Sequence, residues 1–205
     1  MRPADTLPAI AALTLRHYEE NADAFWAGTR DHDVSQNIAA LCGALVGEPP
    51  FTLLDFGCGP GRDLKTLAAL GHRAVGLEGV PRFAAMAREY SGCEVLLQDF
   101  FRLNLPQAAF DGIFANATLQ HIPTAILPRV LTELRTALKP GGVLFASIPH
   151  GDDQEGWNND RYSAYHSPAR WRAYLAAAGY VEVLHYFRPT GLPRAEQRWF
   201  AGVWR

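Results

Sequence analysis

Apolar residues recur along this chain with two different periods. Residues 7–27 and Val34–Val46 carry them at helical spacing, with a polar break between the two stretches. From residue 51 onward short apolar runs alternate with amphipathic stretches. The runs at 51–56, 73–78, 94–98, 111–116 and 142–148 read as strands, and 62–70, 81–90 and 124–138 read as helices. Pro81 suits a first helical turn, and Pro140-Gly141-Gly142 ends the long helix and opens the next strand. A polar segment, 150–166, then precedes a helix from Ser167-Pro168, a strand Val181–Phe187 and a closing strand Gln197–Trp204. Such alternation predicts a doubly wound, mostly parallel α/β sheet of seven strands with right-handed crossovers. The expected organisation is one domain, 1–205. It has a helical cap over 1–48, a core over 49–150, a lid over 150–166, and a C-terminal helix and strands over 167–205.

Within the core, Phe51 to Arg62 (FTLLDFGCGPGR) is the most specific stretch. An apolar run leads into Asp55, then glycines stand at alternate positions, Gly57, Gly59 and Gly61, and a helical pattern opens behind them. A strand that breaks into a Gly-rich turn and feeds a helix N-terminus is a nucleotide-binding corner. A dinucleotide fingerprint would need its third glycine at position 62, which is Arg62, and would keep the strand apolar where Asp55 stands.

The pattern D-x-G-x-G-x-G resembles motif I of the class I S-adenosylmethionine (SAM) dependent methyltransferases, in particular the compact "type 11" group of bacterial enzymes. Four further features follow in that family's order. His72–Glu78 ends in an acidic residue that can accept both ribose hydroxyls, Cys93–Phe100 carries Asp99 at the adenine-contacting position, and Phe110–Ala117 forms a fourth strand. Leu138–Pro149 is the turn and fifth strand. The resemblance implies a Rossmann-like fold, SAM as cofactor and S-adenosylhomocysteine as product. It places Tyr18, Arg30, Asp55, Gly57, Cys58, Gly59, Gly61, Glu78, Gly79, Asp99, Phe100 and Asn116 around the cofactor. Tyr18 belongs to a Y-x-x-x-A-x-x-W/F helix; as a helix-face aromatic it is equally readable as core.

Composition adds exclusions. The 205 residues are 48% hydrophobic and 20% charged, which suits one ordinary globular domain rather than a disordered chain. A net charge of −2 with scattered basic residues argues against nucleic acid as substrate. No apolar run is long enough for a membrane span, and the start of the chain lacks a convincing cleavable signal, so the cytoplasm is the expected compartment. Cys42, Cys58 and Cys93 have no metal or redox spacing and read as packing residues, and no metal is expected. The expected partner is a small-molecule acceptor, with the chain a monomer or homodimer.

Two segments outside the core bear on that acceptor. Thr29–Asn37 (TRDHDVSQN) is dense in donors and acceptors, including Arg30, His32, Asp33 and Asn37; capping by Asp33 or Ser35 explains only part of it. His150–His166 reads as a long structureless insertion suited to a lid, with Trp157, Tyr162 and Tyr165 as rigid surface and Arg161 as a cation. The bland alternative is a surface hairpin whose aromatics pack on the core. His121, just past the fourth strand, is the first candidate for a catalytic base and His32 the second. Either is also readable as merely orienting the acceptor, and His121 as a helix cap. The sulfonium supplies most of the chemistry, so a base matters only for a protonated acceptor. The expected activity is methyl transfer to a nitrogen, oxygen or sulfur of a small polar metabolite. A non-catalytic SAM-binding regulator and an NAD(P)-dependent oxidoreductase are the alternatives, the latter disfavoured by Arg62 and Asp55.

Overall fold

Alternate residues of each central strand feed two different cores in the computed structural model, which describes residues 6–205; Met1–Asp5 of the expected cap lie outside the described residues. In β1 (Thr52–Phe56), Leu53 packs on one face of the sheet while Leu54 and Phe56 pack on the other. β4 (Phe110–Asn116) repeats the alternation, with Phe114 on the first face and Ile113 and Ala115 on the second. Strands apolar on both faces belong inside a parallel sheet covered by helices. Here α3 (Ser35–Ala44), α4 (Arg62–Ala69) and α5 (Pro81–Ser91) cover one face, and α6 (Leu127–Ala137) and α7 (Pro168–Ala177) cover the other. The spacing of Leu127, Val130, Leu131 and Leu134 shows why α6 is a helix with one buried stripe.

β2 (Arg73–Glu78), β3 (Glu94–Leu97) and β5 (Leu138–Pro149) complete the parallel part, while β9 (Trp199–Trp204) runs antiparallel to both its neighbours, β5 and the edge strand β8 (Glu182–Arg188). The strand order is β3-β2-β1-β4-β5-β9-β8, so the seven-stranded Rossmann-like sheet is as expected. The order reverses between β1 and β4. A crevice opens at such a switch point, beyond the strand C-termini, and that is where ligands bind in this architecture.

Two expected elements differ. The pattern over 7–27 is two helices, α1 (Leu7–Glu20) and α2 (Ala22–Thr29), broken at Asn21. The Asn21 side chain and backbone N–H both donate to the His17 carbonyl, 2.8 and 3.2 Å away, and so close α1 from its C-terminal end. The segment 150–166 is not structureless: β6 (Gln154–Asn158) and β7 (Arg161–Tyr165) pair as a hairpin, a second small sheet. Asn159 takes the left-handed backbone conformation the tight turn needs, which asparagine tolerates.

Candidate active site

The Gly-rich turn is held from behind. Gly57 and Cys58 donate their N–H groups to the Leu77 carbonyl, 2.8 and 3.1 Å away, which ties the turn to β2. Gly57 has φ +74, and a Cβ there would lie 2.3 Å from Cγ2 of Thr118. Gly61 has φ +96, and a Cβ there would lie 2.8 Å from the Ala87 backbone. Both positions admit glycine alone, because backbone and neighbour leave no room for a side chain.

Glu78, at the end of β2, is buried. One carboxylate oxygen accepts from Gly59 N–H at 2.9 Å; the other accepts from Gly79 and Val80 at 2.8 and 2.9 Å. Burial outweighs these bonds and pushes its carboxyl up to about 7. Asp55 lies behind the turn rather than facing a ligand. Burial first, and the Asp63 carboxylate second, hold it well above the usual carboxylate range.

Two cavities meet over the turn. The smaller is apolar and closed by α1: Leu15, Val80, Phe83 and Phe100 line it, with Glu78 and Asp99 at its polar end. The larger, about 790 Å³, opens under the hairpin and reaches Arg62, Asn116, His32, Arg161 and Arg188. Tyr18, Phe25, Gly57, Gly59, Ala117 and His121 line both, so they mark the junction.

At that junction the Tyr18 hydroxyl lies 2.9 Å from Nε2 of His121, and Nδ1 lies 2.8 Å from the Tyr162 carbonyl. A carbonyl only accepts, so Nδ1 carries the proton and Nε2 accepts from Tyr18. Burial pushes the imidazole down to about 4, so it is neutral at physiological pH. The Thr14 hydroxyl accepts from Tyr162 N–H at 3.1 Å, so α1, His121 and the hairpin are joined through one residue.

A chain of polar contacts floors the larger cavity. Tyr186 donates to Asn37 at 3.0 Å, Asn37 to Asn116 at 2.9 Å, and Asn116 to Asp63 at 3.1 Å. Arg62 grips Asp63 through two bonds of 2.6 and 2.9 Å and donates to the Thr29 carbonyl at 2.6 Å.

The expected site residues divide on this geometry. Tyr18, Gly57, Cys58, Gly59, Glu78, Asp99, Phe100, Asn116, His121, His32, Asp33, Arg161 and Tyr165 line one or both cavities. Gly61, Gly79 and Asp55 stand behind the lining and shape it. Arg30 does neither: α2 ends at Thr29, and Arg30 turns to solvent beside Asp31, 3.1 Å away. Asn37 is fully buried and supports Asn116 instead of facing the cavity. Trp157 packs edge-on against Tyr162, and Tyr162 contributes its backbone to the junction rather than its ring to the cavity wall. Sequence reasoning missed Asp63, Tyr186 and Arg188, and it used Arg62 only as a negative sign. Direct adjacency to the Gly-rich turn was the available signal for Arg62 and Asp63. Among the described residues no group of three or more His, Cys, Asp or Glu is placed to hold a metal ion, and no helix is long and apolar enough to cross a membrane.

Residues 54–146 match the family model described as "Methyltransferase domain". Over 131 residues the chain is 34% identical to a trans-aconitate 2-methyltransferase of Azoarcus sp. (strain BH72), covering 62% of this chain and 49% of that protein. It is 32% identical over 131 residues to a malonyl-[acyl-carrier protein] O-methyltransferase of Serratia marcescens, covering 63% and 49%. The chain thus spans about half the length of the curated relatives it matches. The fold is shared over the whole chain with Burkholderia thailandensis 1,6-didemethyltoxoflavin-N1-methyltransferase (TM-score 0.81, 20% identity, 100% of this chain and 92% of that one).

Proposed function

We propose that this chain is a class I SAM-dependent methyltransferase and that it transfers the methyl group of SAM to a small polar molecule bound in the larger cavity. One observation carries the reading. A cavity shaped for a nucleoside and a cavity lined by polar side chains share a wall at the Gly-rich turn, so two ligands would meet at one junction.

The residues fit SAM. Glu78 presents a buried carboxylate to ribose hydroxyls, and the slot formed by Leu15, Val80, Phe83 and Phe100 suits an adenine ring beside Asp99. Gly57 and Gly61 have no room for a Cβ, so the turn's backbone is held for close approach. The Arg62–Asp63 pair and Asn116 line the larger cavity beside the turn, where the amino-acid end of SAM would lie. When bound, SAM supplies an electrophilic methyl on a positively charged sulfur. The protein's part is alignment and exclusion of water. α1 roofs the cofactor slot, the hairpin roofs the acceptor side, and Tyr18 and His121 fix the wall between them. His121 serves here as an orienting group. Its protonated nitrogen is committed to Tyr162 and its free one to Tyr18, so it is poorly placed to take a proton. The hairpin's role is that of a lid.

One relative's name, trans-aconitate 2-methyltransferase, agrees with a metabolite-sized acceptor, whereas the acceptor in the name of the other is borne on a carrier protein. The testing experiment incubates the protein with methyl-tritiated SAM and a pool of small metabolites. Tritium should move to a small product and S-adenosylhomocysteine should accumulate. NADH consumption without methyl transfer would contradict the proposal, and tight SAM binding without transfer would favour a regulatory subunit.

A further inference from the structure

We propose that the acceptor is a small carboxylate, held by Arg161 and methylated on a carboxylate oxygen; this rests on the methyl-transfer reading above and specifies its acceptor. Two independent features of the larger cavity carry it, one of charge and one of missing chemistry.

The first is an uncompensated cation. Arg62 is neutralised by its two-bond pair with Asp63. Arg188 donates to the Asp33 carbonyl at 2.8 Å, and its charge helps hold the Asp33 carboxyl below the usual range, behind the hydrogen bonds from Ser35. Arg161 has no such partner: none of the ion pairs among the described residues includes it. Its side chain hydrogen-bonds the neutral Tyr18 hydroxyl, which does not offset its charge, and its buried Nε makes no hydrogen bond. Its guanidinium carbon stands 5.8 Å from the Tyr18 ring, at the edge of the junction. A buried guanidinium donor is left open only at a cost, and a planar oxyanion with two acceptor oxygens matches its geometry.

The second is the lack of a usable base beside the junction. The neutral form of His121 is favoured by burial, and its one free lone pair takes the Tyr18 proton. Burial also pushes the Tyr18 phenol up, so it is a donor and not a base. Both oxygens of Asp63 are occupied, by Arg62 and by Asn116. Asp33 is held by Ser35, and it and His32 lie exposed at the cavity's outer rim. The Tyr165 hydroxyl faces Asn158 at 3.4 Å. Glu78 is committed to three backbone donors on the nucleoside side.

An alcohol or a protonated amine would have to lose a proton in this site, whereas a carboxylate is already ionised at neutral pH. The step balances without a proton. A carboxylate lone pair forms the new O–CH₃ bond, the S–CH₃ bond breaks, and its electron pair stays on sulfur. The products are a methyl ester and S-adenosylhomocysteine.

The test uses the full chain, methyl-tritiated SAM, and a panel of three- to ten-carbon mono-, di- and tricarboxylates, each beside its primary amide. Mild alkali releases ester methyl groups as volatile tritiated methanol. With SAM saturating at every pH, so that the titration of Glu78 does not enter, alkali-labile product should form from a carboxylate and not from its amide, at a rate flat between about pH 7 and 9. Arg161→Ala should raise the carboxylate KM roughly 10- to 100-fold, with Arg161→Lys between it and the parent. Calorimetry on the S-adenosylhomocysteine-loaded protein should show the same loss of carboxylate affinity, while affinity for S-adenosylhomocysteine itself stays within about twofold. Alkali-stable product, a rate rising across that pH window, an unchanged KM in Arg161→Ala, or SAM binding with no carboxylate methylated would each overturn the proposal. Failure to bind SAM at all would instead overturn the reading on which it rests.

Discussion

Acidification should weaken cofactor binding through one residue, Glu78. Burial lifts its carboxyl from the ordinary 4.5 to about 7, against the pull of the Val80, Gly59 and Gly79 N–H groups. Ribose hydroxyls donate to an ionised carboxylate, so binding selects the charged form and expels a proton whenever Glu78 is protonated. For a single site the dissociation constant then rises roughly 10-fold at pH 6 and about 30-fold at pH 5.5, relative to pH 8. Stability of the ligand-free fold should run the other way. Folding raises this pKa, so Glu78's contribution is fully present below about pH 4.5 and is lost as pH rises through 7. Opposite trends in affinity and in ligand-free stability over pH 5.5–7.5 are the signature. Calorimetry across that range, in two buffers of different ionisation heat, reads both affinity and proton release. Glu78→Gln should flatten the profile and weaken SAM binding at pH 8 by roughly 10- to 150-fold, the worth of a charge-assisted acceptor. A pH-independent affinity in the parent, or a Glu78→Gln variant that binds as the parent does, would refute the assignment.

Three further outcomes follow from the geometry. Gly57→Ala should abolish measurable SAM binding and lower the melting temperature, because its Cβ would meet Thr118 at 2.3 Å; Gly43→Ala, with nothing within 4 Å, should leave both nearly unchanged. Equal melting curves for the two variants would contradict the close fit. Tyr18→Phe removes the hydroxyl that satisfies His121 Nε2 and should cost about 1–3 kcal/mol in a urea titration, with an unchanged midpoint counting against the buried bond. Thr14→Val should speed proteolytic cutting at the Asn159-Asp160 turn by loosening the hairpin from α1, and bound S-adenosylhomocysteine should slow it again; an unchanged rate would dismiss the latch.

The cofactor side of the site was legible because its chemistry is local in sequence. Gly57, Gly59 and Gly61 follow β1 directly, and Glu78 and Asn116 are the last residues of their strands, so the strand pattern alone brings these candidates to the crevice. The acceptor side was legible in composition but not in placement. The donors of Thr29–Asn37 were visible, yet only the end of α2 at Thr29 decides that Arg30 faces solvent, and only the contact with Asn116 decides that Asn37 turns inward. Tyr186 and Arg188 were invisible for a different reason. Arg188 reaches the cavity, and Tyr186 the buried Asn37 behind it, because β8 pairs antiparallel with β9, a long-range pairing that no local pattern encodes. The hairpin was legible only as the alternative reading of 150–166, because exposure is mixed: Gln154 and Glu155 are exposed while Ser163 and Ala164 are buried, so neither strand shows a clean alternation of apolar and polar positions.

The most direct test of two ligands meeting at the Tyr18–His121 wall is a crystal structure with S-adenosylhomocysteine bound. Its adenine should lie among Leu15, Val80, Phe83 and Phe100, its ribose hydroxyls within about 3.2 Å of the Glu78 carboxylate, and its sulfur should face the larger cavity beside Tyr18. A sulfur turned away from that cavity, or a ribose out of reach of Glu78, would contradict the account.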